Sequence, residues 1–492
     1  MKAFDFTTDK ILRLFFSILI VFLGVYRGII AFSYAPELTN GESNNIWNAI
    51  NVSQGKPIYT NPEALPLEIF QYTPLSQLPI IVAAYVFDPN DQDYVHNIIV
   101  VGRLMSLLLN ALTALMLFLA CRLLVATDRW IIAFSCLLGF MLFTHAAFAV
   151  RPDASALFLM MTAFYLFAKH TVSKKYVHLF LAALVLALAF MTKQDSMVVI
   201  IPLSLALLLR SKWKQLILFD MVFLFSLAAI ILWGHVALGH YFLTSIVNGI
   251  RNPSSLQQLE AVLVRFIDLY PFHFFAANTA IVAALLYHKK RPELLPLTLT
   301  TLFYEAFAVM TSAKIGSWVN YYTPFVLFGG VLIFVMLSEH WRQHHSLVRP
   351  ISLLLVILVS GIFIFRQAYA FTSPYLKHTE TKDHYVSQCN ELSQLGKELQ
   401  LQPDNRIMVV DPLMRIIMGR NTVMPNMEYY GISPFDYSLF RDNSTDKVDF
   451  IIFEPKDEAT MHNLMQFFNI DSNQFIEMET SSDVVVLSQK KK

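Results

Sequence analysis

Four charges stand inside otherwise apolar stretches of this sequence: Arg27, Arg103, Glu305 and Arg366. A charge near the centre of a bilayer costs roughly 2.5–3.5 kcal/mol on insertion scales, so each needs a partner, water or a route to the headgroups. Snorkelling from a helix end would serve any one of them. It serves Glu305 least well, because that residue lies at least a turn inside its apolar window. Three arginines and a glutamate toward one side of a membrane suit a cavity that accepts an anion, and phosphate matches the forked guanidinium. Glu42 is a second chemical candidate. Between Asn44 and Ser53, residues Ile46, Trp47, Ala49, Ile50 and Val52 are spaced for a short interfacial helix, with Glu42 at its start and Gly55-Lys56-Pro57 ending it. A carboxylate there either complements the helix dipole or acts as a general base on an attacking hydroxyl or amine.

The elements that must position these groups are membrane helices. The chain has 492 residues, 55% of them apolar and only 15% charged, well below the quarter or so typical of soluble domains. That composition excludes a DNA-binding module, a secreted disulfide framework and a single soluble enzyme. Apolar windows between Leu12 and Phe371 predict eleven spans, roughly 12–32, 97–125, 130–150, 154–168, 176–192, 196–209, 216–238, 272–288, 294–311, 321–338 and 350–371. The run Leu78 to Phe87 is too short to cross and reads as a re-entrant or surface helix. The first span lacks a small-residue cleavage site and reads as a retained helix rather than a signal peptide. Cys121 and Cys136 fall in spans and Cys389 in the tail, so no intradomain disulfide is expected.

Residues 1–371 form the expected membrane module, with 25 basic and 18 acidic residues, and residues 372–492 a soluble domain with 12 and 18. With the N-terminus cytoplasmic, the inner segments hold 16 of the 25 basic residues, and the outer ones hold 12 of the 18 acidic residues. An odd number of spans then puts the tail outside. Every distinctive polar sequence falls on that outer side: the long loop 33–96, Arg151-Pro152-Asp153, Lys193-Gln194-Asp195, the loop 239–271, and Lys314 to Tyr322. The tail alternates a helical "YVSQCNELSQLGKELQ", strand-like "RIMVVD" and "DFIIFE", a helical "EATMHNLMQFF" and a strand-like "DVVVL", which predicts a small α/β domain. It carries no Gly-rich phosphate loop, Cys/His metal spacing or nucleophile motif. The expectation is therefore an α-helical polytopic protein of a cell (inner) membrane, with a small extracytoplasmic α/β domain.

The first outer loop resembles that of the GT-C fold glycosyltransferases, which include the protein O-mannosyltransferases and the lipid A aminoarabinose transferase. The resemblance rests on Glu42 after the first span, Trp47 in the short helix, Gly55-Lys56-Pro57-Ile58-Tyr59 and Tyr72-Thr73-Pro74-Leu75. Arg151-Pro152-Asp153 is similar to the family's second acidic motif, and the run Gly316 to Tyr322 to a late substrate-contacting loop. Topology and these motifs extend the likeness over about residues 1–340.

The resemblance implies transfer of a sugar, with inversion, from a polyprenyl-phosphate carrier to a lipid, glycan or protein acceptor on the outer face. Glu42 or Asp153 would be the base. Arg151, Lys193, Lys314, Arg103 and Arg366 are the candidates for the donor phosphate, or else interfacial cations. Trp47, Tyr59, Tyr72, Tyr321 and Tyr322 are candidate sugar or substrate contacts, with Trp318 beside them, or else members of an interfacial aromatic belt. Asp195 and Asn320 would bond sugar hydroxyls or cap loops. The family's usual Asp-Glu pair is Gly41-Glu42 here, leaving one carboxylate in the loop and Glu37 in reserve. No metal ligand set or cofactor is expected: a divalent ion bridging Glu42 and Asp153 stays open but is disfavoured. The expected partners are the lipid-linked donor, its acceptor and membrane lipids, with no nucleic acid. The competing classes are a transporter or flippase of lipid-linked substrates and a glycan polymerase or ligase. Against transport, the sequence has no internal repeat and no paired broken helices.

Overall fold

A computed structural model of the chain describes residues 41–124, 149–343, 378–402, 405–417, 435–442, 444–480 and 484–490, with 14, 17–18, 21–22, 24–35, 38 and 422–423. It is mainly helical. Eight expected spans coincide with helices, from Tyr94–Leu124 through Asp153–Ser173, Tyr176–Phe190, Ile200–Leu209, Trp213–Leu238, Pro271–Tyr287 and Leu295–Ser312 to Thr323–Gln343. The expected span 12–32 is described in part, helical at 24–31. Spans 130–150 (but for its last two residues) and 350–371 lie outside the described residues, as does the expected domain boundary at 371/372. Among the described residues five helices are long and apolar enough to cross a bilayer, or six if the bent pair Leu256–Leu269 and Pro271–Tyr287 is one span. That pair turns by 94° at Tyr270, where Pro271 occupies the first position of the second helix and cannot continue the first. The span expected at 154–168 is longer than its apolar window, because the helix continues through Lys169 and His170 to a left-handed Lys174.

Two compact units emerge. The first takes in residues 1–31, 103–231 and 253–376. Its helices approach closely where side chains are small: Ala182, Ala183, Ala187 and Ala189 are fully buried, packed in one core with Leu157, Met160, Phe164 and Phe167 of Asp153–Ser173. Close packing of this kind replaces the hydrophobic effect as the force between helices in lipid. Two polar pairs stand among the helices of this unit. Asn278 Nδ2 donates to Glu305 Oε1 at 2.7 Å, and Ser204 Oγ donates to Asp220 Oδ1 at 2.5 Å.

The second unit takes in residues 32–102, 232–252 and 377–492. Its centre is a four-stranded sheet in the order β1 (Ile407–Val409), β2 (Phe450–Phe453), β4 (Val485–Gln489), β3 (Phe475–Met478). β1 pairs parallel with β2, and β4 runs antiparallel to both β2 and β3. Strand alternation gives the sheet two apolar faces. Ile407, Val409, Ile452 and Val486 join Tyr385, Leu392 and Leu395 of the helix His378–Glu398 and Tyr34. On the other face Met408, Ile451 and Phe453 join Met461 and Met465 of the helix Glu458–Phe467. Leu67 and Ile69 of the 33–96 segment are buried in that second face. The Leu67 N–H donates to the Val423 carbonyl at 2.9 Å, and Asp436 N donates to Glu63 Oε1 at 2.9 Å. The segment around Leu67 and the C-terminal part of the chain thus share one core, although more than 300 residues separate them in sequence.

Between Leu67 and Ile69 stands Glu68, itself buried. Burial pushes its carboxyl up to about 8, a rise that the Lys56 ammonium only partly offsets. The folded chain therefore holds a proton on Glu68 between about pH 4.5 and 8 that the unfolded chain releases, and this contribution to stability is lost as pH rises. Glu68→Gln should leave the melting temperature nearly unchanged at pH 5 and raise it at pH 8.5. The gain there approaches a few kcal/mol, on the order of 1.4 kcal/mol for each pH unit that separates the folded and unfolded titrations. Melting curves of the purified protein and the variant across that range test this. Equal melting temperatures at pH 8.5 would show that Glu68 is not buried in charged form.

Candidate functional site

In the first unit, three loops deliver charged groups to one place. Asp153 opens the helix Asp153–Ser173, after Pro152 has set a helical backbone angle. Lys193 is extended (φ −160°, ψ 130°) and caps the 3₁₀ turn Gln194–Val199, which carries Asp195. Asn320 and Tyr321 sit on a second 3₁₀ turn, Val319–Tyr322. Lys193 Nζ lies 3.1 Å from Asp153 Oδ1 and 3.0 Å from Asp195 Oδ2, and 4.9 Å from the centre of the Tyr321 ring. Arg151 Nε is 3.4 Å from Asp153 Oδ2, and Asn320 Nδ2 donates to Asp153 Oδ1 at 3.3 Å. Asp153, Lys193, Asp195, Asn320 and Tyr321 line a small cavity of about 30 Å³.

Lys314 belongs to the same electrostatic group. Its ammonium is pushed below the usual lysine range by burial, an effect that Asp195 opposes and Lys193 reinforces. Its backbone forms an isolated antiparallel bridge with Ser254, and the Ile315 N–H donates to the Pro253 carbonyl at 2.9 Å. Arg151, Lys193 and Lys314 against Asp153 and Asp195 leave a formal charge of +1 on these five side chains. Recruiting Lys193 to an added anion would disturb its ion pairs with Asp153 and Asp195, and recruiting Arg151 its pair with Asp153.

The second unit carries the other expected acid. Glu42 begins the helix Glu42–Ser53, and its Oε2 accepts the Leu38 N–H at 2.5 Å. The side chain is fully buried. Gly41 before it has φ 98°, the left-handed region that an aspartate adopts only with strain. Asn45 Nδ2 donates to the Gly41 carbonyl at 2.9 Å, and Gln77 Nε2 donates to Asn45 Oδ1 at 2.9 Å. Arg415 of the short helix Pro412–Ile417 reaches the same turn. Its NH1 donates to Asn44 Oδ1 at 3.1 Å and its NH2 to Ser43 Oγ at 3.3 Å.

The remaining expected residues separate by burial. Tyr59 is packed against Phe70 and Phe242, with ring centres 5.6 and 5.2 Å away, and its hydroxyl donates to the Tyr72 carbonyl at 2.7 Å. Trp47 is buried. Tyr322 stacks on Phe266 at 3.9 Å and accepts from Ser312 Oγ at 3.3 Å. Tyr72 and Tyr321 are partly exposed, and Trp318 is 54% exposed. Arg103 and Arg27 are buried; Arg366 and Glu37 lie outside the described residues. Among the described residues no group of three His, Cys, Asp or Glu side chains could hold a metal ion. Sequence reasoning passed over Arg415, Ser43, Asn44 and Glu68. For Arg415 a signal existed, a single charge inside the apolar run Leu413-Met414-Arg415-Ile416-Ile417.

The dolichyl-phosphate-mannose-protein mannosyltransferase family matches residues 95–237. Among solved structures, ArnT from Cupriavidus metallidurans bound to undecaprenyl phosphate superposes with a TM-score of 0.60 at 13% identity, over 96% of this chain and 97% of that one. The archaeal oligosaccharyltransferase AglB from Archaeoglobus fulgidus, in complex with an inhibitory peptide and a dolichol-phosphate, gives a TM-score of 0.56 at 11% identity, over 94% of this chain and 72% of that one. No curated protein sequence matches the chain significantly. The likeness runs through nearly the whole length, membrane helices and C-terminal domain alike. The chain is a polytopic helical membrane protein with the GT-C fold.

Proposed function

We propose that this protein is a membrane glycosyltransferase that moves a sugar from a polyprenyl-phosphate carrier to a lipid, glycan or protein acceptor, with inversion, at the outer face. The observation that carries this reading is the cationic group around Asp153, a site for an anion, on a GT-C frame. The basic bias of the inner loops supports the N-in orientation and an outward-facing site. The bound polyprenyl phosphates of ArnT and AglB support a lipid-linked donor.

In the proposed step a base takes the proton of the acceptor hydroxyl or amine. The acceptor's lone pair forms the new bond to the anomeric carbon as the bond from that carbon to the phosphate oxygen breaks. The electron pair leaves on the polyprenyl phosphate. Glu42 is the proposed base; its carboxylate is oriented by the Leu38 amide and must become accessible to the acceptor. Asp153, engaged by Lys193, Arg151 and Asn320, is a weaker base and serves better as the anchor of the cationic group. Arg151 and Lys314 are the proposed ligands of the phosphate, where fixed cations stabilise developing negative charge. Arg103 and Arg366 remain proposed contributors to the same charge. Asp195, Asn320 and Tyr321 are proposed sugar contacts, Tyr321 by stacking; Tyr72 is proposed to face the acceptor. Trp47, Tyr59 and Tyr322, all buried, remain proposed substrate contacts.

Transfer of a labelled sugar from a polyprenyl-phosphate donor pool, followed in membranes, tests the reading. Glu42→Gln should lower the rate about 10²–10⁴-fold, the usual contribution of a general base, while donor binding persists. Loss of neither transfer nor binding would remove Glu42 from the mechanism; absence of both in the wild type, across several donors, would point to transport instead. The cations should divide by their pairing. Lys314→Ala and Arg151→Ala should raise the donor KM about tenfold or more, each removing one charge-assisted contact. Lys193→Ala should chiefly lower the melting temperature, because it leaves Asp153 and Asp195 without their shared cation, and Asp153→Asn in the same chain should recover part of that loss. A Lys193→Ala variant of unchanged stability and raised donor KM would reverse these assignments.

A further inference from the structure

The C-terminal domain holds the turn that carries Glu42. Arg415 lies in the helix Pro412–Ile417 between the buried side chains of Met414 and Ile416, and is itself 6% exposed. A guanidinium in such surroundings is costly unless its N–H groups are satisfied. It spends two of them on side chains of one helical turn: Asn44 Oδ1 at 3.1 Å and Ser43 Oγ at 3.3 Å. Both acceptors are buried, and they are the two residues that follow Glu42.

The placement runs against simple helix electrostatics. The N-terminus of Glu42–Ser53 is the positive end of its dipole and disfavours a cation beside it. An acidic residue, Glu42, stands in the same first turn. A neutral donor would satisfy Ser43 and Asn44 without that conflict. The two-pronged grip of an arginine instead fixes the rotation of the turn about the helix axis, because both prongs must reach adjacent residues at once. The same turn is also held by Leu38 N–H on Glu42 Oε2 and by Asn45 Nδ2 on the Gly41 carbonyl, so the grip on Ser43 and Asn44 completes a turn that is tied down on several sides.

Building on the assignment of Glu42 as the base, we propose that Arg415 is a positioning residue. It acts through Ser43 and Asn44 to hold the Glu42 carboxylate in the orientation needed for proton transfer, so the C-terminal domain is part of the catalytic apparatus. Misplacing a reacting group by about an ångström costs on the order of 10²-fold in rate. The expectation is a loss in kcat with donor affinity spared.

The test uses the full-length protein in membranes or nanodiscs, with the labelled-donor assay, melting curves, and rates expressed per folded molecule. Arg415→Gln should lower kcat tenfold or more with donor KM within about twofold of wild type. Arg415→Lys, which keeps the charge and loses the fork, should recover only part of the rate. The pair Ser43→Ala and Asn44→Ala, made together, removes the two acceptors and leaves Arg415 in place. It should reproduce the kcat loss, and adding Arg415→Gln to it should cost little more. If Arg415→Gln does not fold, the Ser43/Asn44 pair and Arg415→Lys decide the question alone. A wild-type kcat per folded molecule in the Ser43/Asn44 pair, or in Arg415→Gln, while Glu42→Gln is inactive, overturns the proposal. An active Glu42→Gln alongside an impaired Arg415→Gln overturns instead the assignment of the base.

Discussion

A carboxylate or guanidinium taken out of water loses solvation worth several kcal/mol, and only charges and hydrogen bonds from the protein can replace it. This constraint explains the arrangement of both units more economically than any single contact. In the helical unit it draws Asn278 to Glu305 and Ser204 to Asp220, and it gathers Asp153, Asp195, Lys193 and Arg151 into one cluster. In the second unit it sets Leu38 N–H on Glu42, and Ser43 and Asn44 on Arg415. Glu68 meets the constraint differently, by keeping its proton. Two loops distant in sequence must converge before Lys193, which shares a turn with Asp195, can also reach Asp153. The ion cluster and the loop geometry therefore specify each other.

The same constraint sorts residues that look alike in sequence. Lys193 and Lys314 are both lysines of polar loops between apolar stretches. One is clamped between two carboxylates, and the other is half-buried, with Asp195 and Lys193 acting on its ammonium in opposite senses. Tyr59 and Tyr321 are both tyrosines of loops between apolar stretches. One is locked by its hydroxyl and by two rings, while the other keeps part of its face exposed under a lysine ammonium. Chemistry at such a site depends on which groups still have something left to give a substrate once the fold has satisfied itself.

Much of the membrane architecture was legible because a bilayer enforces a length and a polarity on every span. Eight spans, the short helix after Glu42 and the helix near Leu78 fall where hydropathy puts them. The tail's strands at 407–409, 450–453 and 485–489 follow from apolar runs, whereas β3 is mostly exposed and reads as polar chain. What stayed hidden was mostly long-range. Nothing in the run around Leu67 announces that its side chain belongs to the core of the C-terminal domain, since burial by a partner more than 300 residues away leaves no local period. The grouping of Asp153 with Lys193 and Asn320 was suggested by their common side of the membrane, but which lysine would take the acids depends on distances no spacing encodes. Arg415 showed only as a charge out of place.

The order of strands in the sheet bears on how such a chain comes into being. β4 is the last strand in sequence, yet it lies between β2 and β3. At ordinary rates of synthesis, about 5–20 residues per second, Leu67 and Ile69 emerge some twenty seconds or more before the strand that closes their core. Throughout that interval the apolar side chains of Leu67 and Ile69 have no sheet to receive them. The strand that inserts between β2 and β3 thus acts as the latch that closes their core late in synthesis.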